Sequence, residues 1–144
     1  MEFNIKEFNL VPHQRRVEKP WGHEIIYTPE KAPFTGKLLF IKSGFRLSLQ
    51  YHDKKEECLM LFSGKAKIFL DDHNGQLKEI SMEPHRGYHV KPGQKHTIQA
   101  VTDSHIMESS MPECGNTFRI NDLYNRPHET EELRKLENRG WNPD

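Results

Sequence analysis

Three side chains define the chemistry available to this sequence. Gln50, His52 and Glu57 stand as Q-x-H-x4-E within GFRLSLQYHDKKEECLMLFSG, residues 44–64. An amide oxygen, an imidazole nitrogen and a carboxylate oxygen each offer a lone pair that a divalent cation can accept. Successive side chains of a strand point to opposite sides. The run 45–52 therefore sets Arg46, Ser48, Gln50 and His52 on one face and Phe45, Leu47, Leu49 and Tyr51 on the other. A polar, ligand-capable row backed by large apolar groups describes a strand that borders a pocket.

The elements that carry these residues read as strands. From residue 37 onward, short runs alternate with turn signals: KLLFIK (37–42), FRLSLQYH (45–52), ECLMLF (57–62), AKIFLD (66–71), LKEIS (77–81), YHVK (88–91), HTIQAV (96–101), SHIMES (104–109) and TFRI (117–120). Ser43-Gly44, Ser63-Gly64, DDHNG at 71–75, Pro92-Gly93 and Thr102-Asp103 punctuate them. Many short strands so divided predict an all-β sandwich or barrel.

Upstream, KPWG at 19–22 reads as a fixed loop leading into the strand-like Ile25-Ile26-Tyr27. Pro20 cannot continue a helix and Gly22 permits an unusual turn. Residues 1–16 space Phe3, Ile5, Phe8 and Leu10 more like a strand than a helix, an arm that adds to a sheet edge or wraps a partner. ETEELRKLENR, residues 129–139, puts acids early and bases late, with Gly140 just beyond, and predicts one C-terminal helix. With no internal repeat or linker, the expectation is a single domain over 1–144: arm 1–16, barrel 17–126, helix and tail 127–144.

Composition narrows the partners. Lys plus Arg and Asp plus Glu both number 21, a formal net charge of zero. That balance removes the electrostatic reason to expect nucleic acid or an anionic membrane. No apolar run approaches the roughly 18 residues of a membrane-spanning helix, and MEFNIKEFNL lacks the basic start and apolar core of a signal peptide. A cytoplasmic protein is expected, with Cys58 and Cys114 as free thiols. Hydrophobic residues make up only 34%, so a small barrel or a homodimer interface would help the chain fold.

The segment Gly44-x5-Gln50-x-His52-x4-Glu57-x6-Gly64 resembles the first motif of the cupin superfamily, with Gln in place of the first His. Residues 90–96, VKPGQKH, resemble the second, with Lys91 where cupins usually carry proline. Three flanking segments narrow the resemblance: KPWG at 19–22, LSLQYH at 47–52 and FRINDLYNR at 118–126. In order and spacing they resemble the R-P-W-G, L-S-L-Q-M-H-H-H and V-R-x-E-D-x-Y-G-R signatures of the type II mannose-6-phosphate isomerase cupin domain. Asp53 and Lys54 replace two of that family's three successive histidines, and Asn121 and Asn125 alter its last signature.

The resemblance implies a double-stranded β-helix, or jelly-roll barrel, with one divalent metal held by Gln50, His52, Glu57 and His96. Zinc is the first expectation, and the mixed nitrogen and oxygen set also admits manganese, iron, cobalt or nickel. It implies a sugar-phosphate isomerase that moves a proton between adjacent carbons while the metal stabilises the enediolate. Glu108, placed by the family's I-E-V-Q segment, is the candidate base or a group that supports the ligands from behind, and Arg126 is the candidate catalytic cation and, with Arg46, the candidate partner of a phosphate. Arg46, by strand alternation, joins Lys54 and Tyr124 as substrate-binding candidates. Lys54, Lys55 and Glu56 also read as a solvated turn, and Tyr124 as a packed aromatic. The alternatives are a carbohydrate- or metabolite-binding cupin without turnover and, below it, an iron-dependent oxygenase.

Overall fold

The computed structural model describes residues 1–142. Eleven strands form two antiparallel sheets: β1 (Arg15–Lys19), β2 (Gly22–Ile26), β3 (Thr35–Ile41), β4 (Leu49–His52), β5 (Glu57–Ser63), β6 (Ala66–Asp71), β7 (Leu77–Ser81), β8 (Gly87–Val90), β9 (His96–Ala100), β10 (Ser104–Ser110) and β11 (Thr117–Asn121). One sheet runs β1-β2-β3-β10-β5-β8 and the other β11-β4-β9-β6-β7. Strict alternation builds the core between them: β2, β5 and β10 bury every second residue along most of their length. Trp21, Leu39, Ile41, Leu59, Leu61, Ile68, Val90, Ile98 and Ile106 meet there.

The inward row of the six-stranded sheet changes character along its length. Register places Ile41 opposite Ser104, Leu39 opposite Ile106 and Lys37 opposite Glu108. Glu24 on β2 and Glu57 on β5 are buried as well. One end of the barrel is therefore packed with hydrocarbon and the other with charge. The KPWG segment forms the turn joining β1 to β2, with Gly22 opposite Ile41 and Trp21 buried. Any side chain at Gly22 would run into the Phe40 carbonyl, which explains the glycine.

One expectation about the ends needs correction. The arm contributes no strand before Arg15. It holds a short 3₁₀ turn over Ile5–Glu7, and Phe3, Ile5, Phe8 and Leu10 are exposed. Strand-like spacing had nothing in this chain to pair with. The C-terminal helix is present but short. It spans Glu131–Arg134, capped by Thr130, and gives way to a 3₁₀ turn over Glu137–Gly140. Leu136 is extended, and within the following turn Asn138 and Arg139 both adopt positive φ (49° and 53°), with Arg139 buried. Burial of Arg134 and Arg139 among carboxylates overrides the helical charge pattern.

Candidate metal centre

His52 ends β4, Glu57 opens β5 and His96 opens β9, so three strand ends bring three ligands to the charged end of the barrel. All are buried, and one ligand atom from each lies within 4.8 Å of the others. Glu57 Oε1 is 3.1 Å from His96 Nε2 and 3.4 Å from His52 Nε2. The far nitrogens are held from behind. His96 Nδ1 donates to the Gln94 carbonyl at 2.9 Å, which leaves the lone pair on Nε2. His52 Nδ1 meets Thr117 Oγ1 at 2.8 Å, directly across the β4–β11 ladder.

Both Nε2 atoms are buried without a hydrogen-bond partner. Two orphaned imidazole nitrogens converging on a carboxylate would be costly in a closed core, and a cation between them resolves the cost. Burial, foremost, pushes His52 down to about 4, which keeps the ring neutral and its lone pair free. Burial works against Glu57, yet Lys55 and the two histidines hold its carboxyl well below the usual range. This donor set fits a divalent metal. Gln50 faces His96 across the β4–β9 pair and lines the same cavity, with its Oε1 accepting from Ser48 Oγ at 2.7 Å.

Glu108 lines the space beside the triad and is buried on β10. Burial and the neighbouring Glu57 push its carboxyl up to about 7. Lys55 bridges the two acids, 3.2 Å from Glu57 Oε2 and 3.4 Å from Glu108 Oε2. The solvated turn expected at 54–56 is thus split: Lys54 and Glu56 face solvent while Lys55 is 5% exposed. Charge continues inward. Lys37 contacts Glu24 and Glu113, and Arg139 contacts Glu24, Glu113 and Glu129. Glu129 and Thr117 exchange both backbone hydrogen bonds, at 2.9 Å each, which ties this cluster to the strand behind His52.

A cavity of about 50 Å³ opens beside Gln50 and His52. Arg126 lines it, fixed by a two-point contact to Asp122 at 3.1 Å and 3.1 Å. Arg46 is half-buried and does not line the cavity. The expected alternation slips because regular β4 begins only at Leu49, so the neighbours Leu47 and Ser48 both line the cavity. Lys54 likewise points away. Tyr124 donates its hydroxyl to the Arg46 carbonyl at 3.1 Å and lies 5.5 Å beneath the Arg126 guanidinium, so it props Arg126 from outside the cavity. Lys19 of KPWG and Arg119, which the sequence left between pairing with Asp122 and touching substrate, also line the cavity, as do Lys37, Glu129 and Arg139, which the sequence did not single out. Strand parity from Leu39 would have found Lys37. The others depend on long-range packing.

The sequence profile described as mannose-6-phosphate isomerase C-terminal matches residues 6–108. No curated protein matches the sequence. Among solved structures, an oxalate decarboxylase from Bacillus subtilis at pH 4.6 superimposes with a TM-score of 0.62 at 21% identity, over 87% of this chain and 33% of that one. A CapF with the inhibitor 3-isopropenyl-tropolone gives 0.61 at 15% identity, over 73% of this chain and 32% of that one. An oxalate oxidase in complex with glycolate gives 0.53 at 12% identity, over 59% and 45%. The chain thus spans about a third of the decarboxylase and CapF chains, and these likenesses establish the fold. With two antiparallel sheets, cupin neighbours and a profile match over most of its length, the chain is a cupin and belongs to the mannose-6-phosphate isomerase C-terminal family.

Proposed function

We propose that this protein interconverts the aldose and ketose forms of a sugar phosphate. The observation that carries the reading is Glu108, a buried carboxyl raised to about 7 beside the His52/Glu57/His96 triad. A general base works best when its pKa lies near the working pH. A divalent metal held by the triad with Gln50, zinc first among the candidates, would supply a Lewis acid for the carbonyl oxygen. Glu108 takes the proton from one carbon and returns it to its neighbour. Lys55 steadies the charged form of Glu108, and Ser110 Oγ, 3.4 Å away, donates to the same oxygen. Arg126, held by Asp122, offers a fixed cation at the cavity wall. A homodimer belongs to this reading, because the exposed apolar side chains of the arm leave area for a second copy to cover.

The test is to incubate metal-loaded protein with mannose 6-phosphate and couple fructose 6-phosphate to a reporter enzyme. Turnover abolished in Glu108→Gln at unchanged metal content supports the reading. No turnover above a His52→Ala control, across several divalent metals, overturns it.

One other reading is a cupin that binds a sugar or metabolite without converting it, favoured by Asp53 and Lys54 in place of two of the family's histidines and by Asn121 and Asn125 in its last signature. A ligand that raises the melting temperature yet is recovered unchanged would select this second reading.

A further inference from the structure

The alternation that fills the core also fixes what the six-stranded sheet turns outward. Ile25 stands opposite Leu38, Leu38 opposite Met107 and Met107 opposite Met60, an apolar row across β2, β3, β10 and β5. Each of the four sits between two buried neighbours and is itself only half-buried. The row beside it is aromatic: Phe40 lies between His23 and His105, with ring centroids 5.3 Å and 5.1 Å away. Arg16 and Glu18 of β1 pair with each other at the sheet edge. An apolar centre inside a polar margin is the anatomy of an interface. The other sheet differs. On its outer side Lys67 stands opposite Gln99 and ion-pairs with Glu79 at 3.3 Å, a surface made for water.

A second apolar feature of the chain is also without a partner. Residues 1–14 precede β1, an edge strand of that same six-stranded sheet. They expose Phe3, Ile5, Phe8, Leu10 and Val11, each by 68% or more. An extended arm of this length reaches about 46 Å, whereas six strands span only about 24 Å. The arm is long enough to cross a whole sheet face.

We propose that the outer face of the six-stranded sheet is where this protein self-associates. Two copies stack these faces about a two-fold axis, and each lays its arm over the other. Area calls for both parts. The sheet face presents roughly 500 Å², short of the about 800 Å² per partner in a stable complex. Phe3 and Phe8 alone bring about 300 Å² more. A second copy is the occupant because it carries face and arm together, so a two-fold pairing leaves neither exposed. The proposal rests on the homodimer of the sugar-phosphate reading and gives it a surface. Its test reads mass rather than turnover, so each can fail alone.

Sedimentation equilibrium of the metal-loaded full chain measures the association, with circular dichroism and metal content checked on every sample. The native protein is expected as a dimer. Met107→Lys, which sets a charge in the apolar row, should sediment as a monomer with native dichroism and metal. Phe8→Ser, in an arm outside every strand, should weaken association roughly 100-fold, since each dimer loses two buried rings. Gln99→Lys, on the outer side of the other sheet, should associate as the native chain does. If Met107→Lys does not fold, Phe8→Ser decides by itself. A monomeric native chain overturns the proposal and leaves the face to a different partner. Native affinity in Phe8→Ser overturns it too, as does dimer loss in Gln99→Lys but not in Met107→Lys. Turnover by a monomeric native protein would strike this interface and leave the isomerase reading, while a dimer with these responses and no turnover would do the reverse.

Discussion

Lys55 Nζ sits between Glu57 and Glu108, 3.2 Å from one carboxylate and 3.4 Å from the other. One ammonium group therefore separates the acid that would bind a metal from the acid that would move a proton. It is the nearest fixed positive charge to both, and two buried carboxylates this close repel each other without it.

Replacing Lys55 with Met should remove that compensation. The metal-free protein is expected to lose about 3–5 kcal/mol, as when one partner of a buried pair is deleted, which is roughly 10 °C in melting temperature. Added zinc should return a larger share of the loss in Lys55→Met than it adds to the native chain, because it restores a cation at Glu57. Scanning calorimetry with and without zinc measures this, and equal zinc shifts in both proteins would contradict it.

Thr117 backs His52 with a 2.8 Å contact, and Thr117→Val keeps the shape without the hydroxyl. Loss of a group that orients a histidine ligand typically costs 10- to 100-fold in metal affinity. Chelator competition should show that drop while His96→Ala abolishes binding. Native affinity in Thr117→Val would detach the hydroxyl from the metal site.

His52, Glu108 and Glu24 are among the groups through which acid should act on the metal-free protein, and their signs differ. His52, lowered from 6.5 to about 4, contributes stability that is complete above pH 6.5 and lost as pH falls toward 4. Glu108, raised from 4.5 to about 7, contributes below pH 4.5 and loses its share as pH rises through 7. Glu24 is opposed by burial but held down to about 2 by Lys37, Lys19 and Arg139, so its share vanishes as pH falls from 4.5 toward 2. Between pH 7 and 4.5 the first two offset. His52→Gln should therefore become more stable on acidification over that window, and Glu108→Gln less stable. Melting curves with parallel slopes in the two variants would refute the assignment.

Arg139→Met should remove the one guanidinium that touches Glu24, Glu113 and Glu129 together, leaving the three carboxylates to Lys37 and Arg134. A destabilisation of about 3–5 kcal/mol is expected. The double variant Arg139→Met with Glu113→Gln should recover part of it, since it removes one of the under-compensated charges. Denaturant unfolding of the two variants checks the order, and a double variant less stable than the single would disprove the coupling.

How much of this was written in the sequence depends on the range of the interaction. The nine strand runs from residue 37 onward were legible because alternation and turn residues are local, and LKEIS at 77–81 coincides with β7 at both ends. Gln50, His52 and Glu57 were legible for the same reason, with His96 supplied by the second motif. Arg46 was misplaced because parity holds only within a regular strand, and the chain is irregular up to Ser48. Lys55 was hidden because a turn lysine is ordinarily solvated, and one of the two carboxylates that draw it in, Glu108, lies 53 residues away. The burial of Arg139 against Glu24 was out of reach to any local reading.

Thr117 belongs to two assemblies at once. Its hydroxyl steadies His52, while its backbone is clasped to Glu129, the carboxylate that anchors Arg134 and Arg139 of the closing segment. The closing segment and the ring that would grip the metal thus meet at one strand position, where the side chain serves the imidazole and the main chain serves the carboxylate cluster.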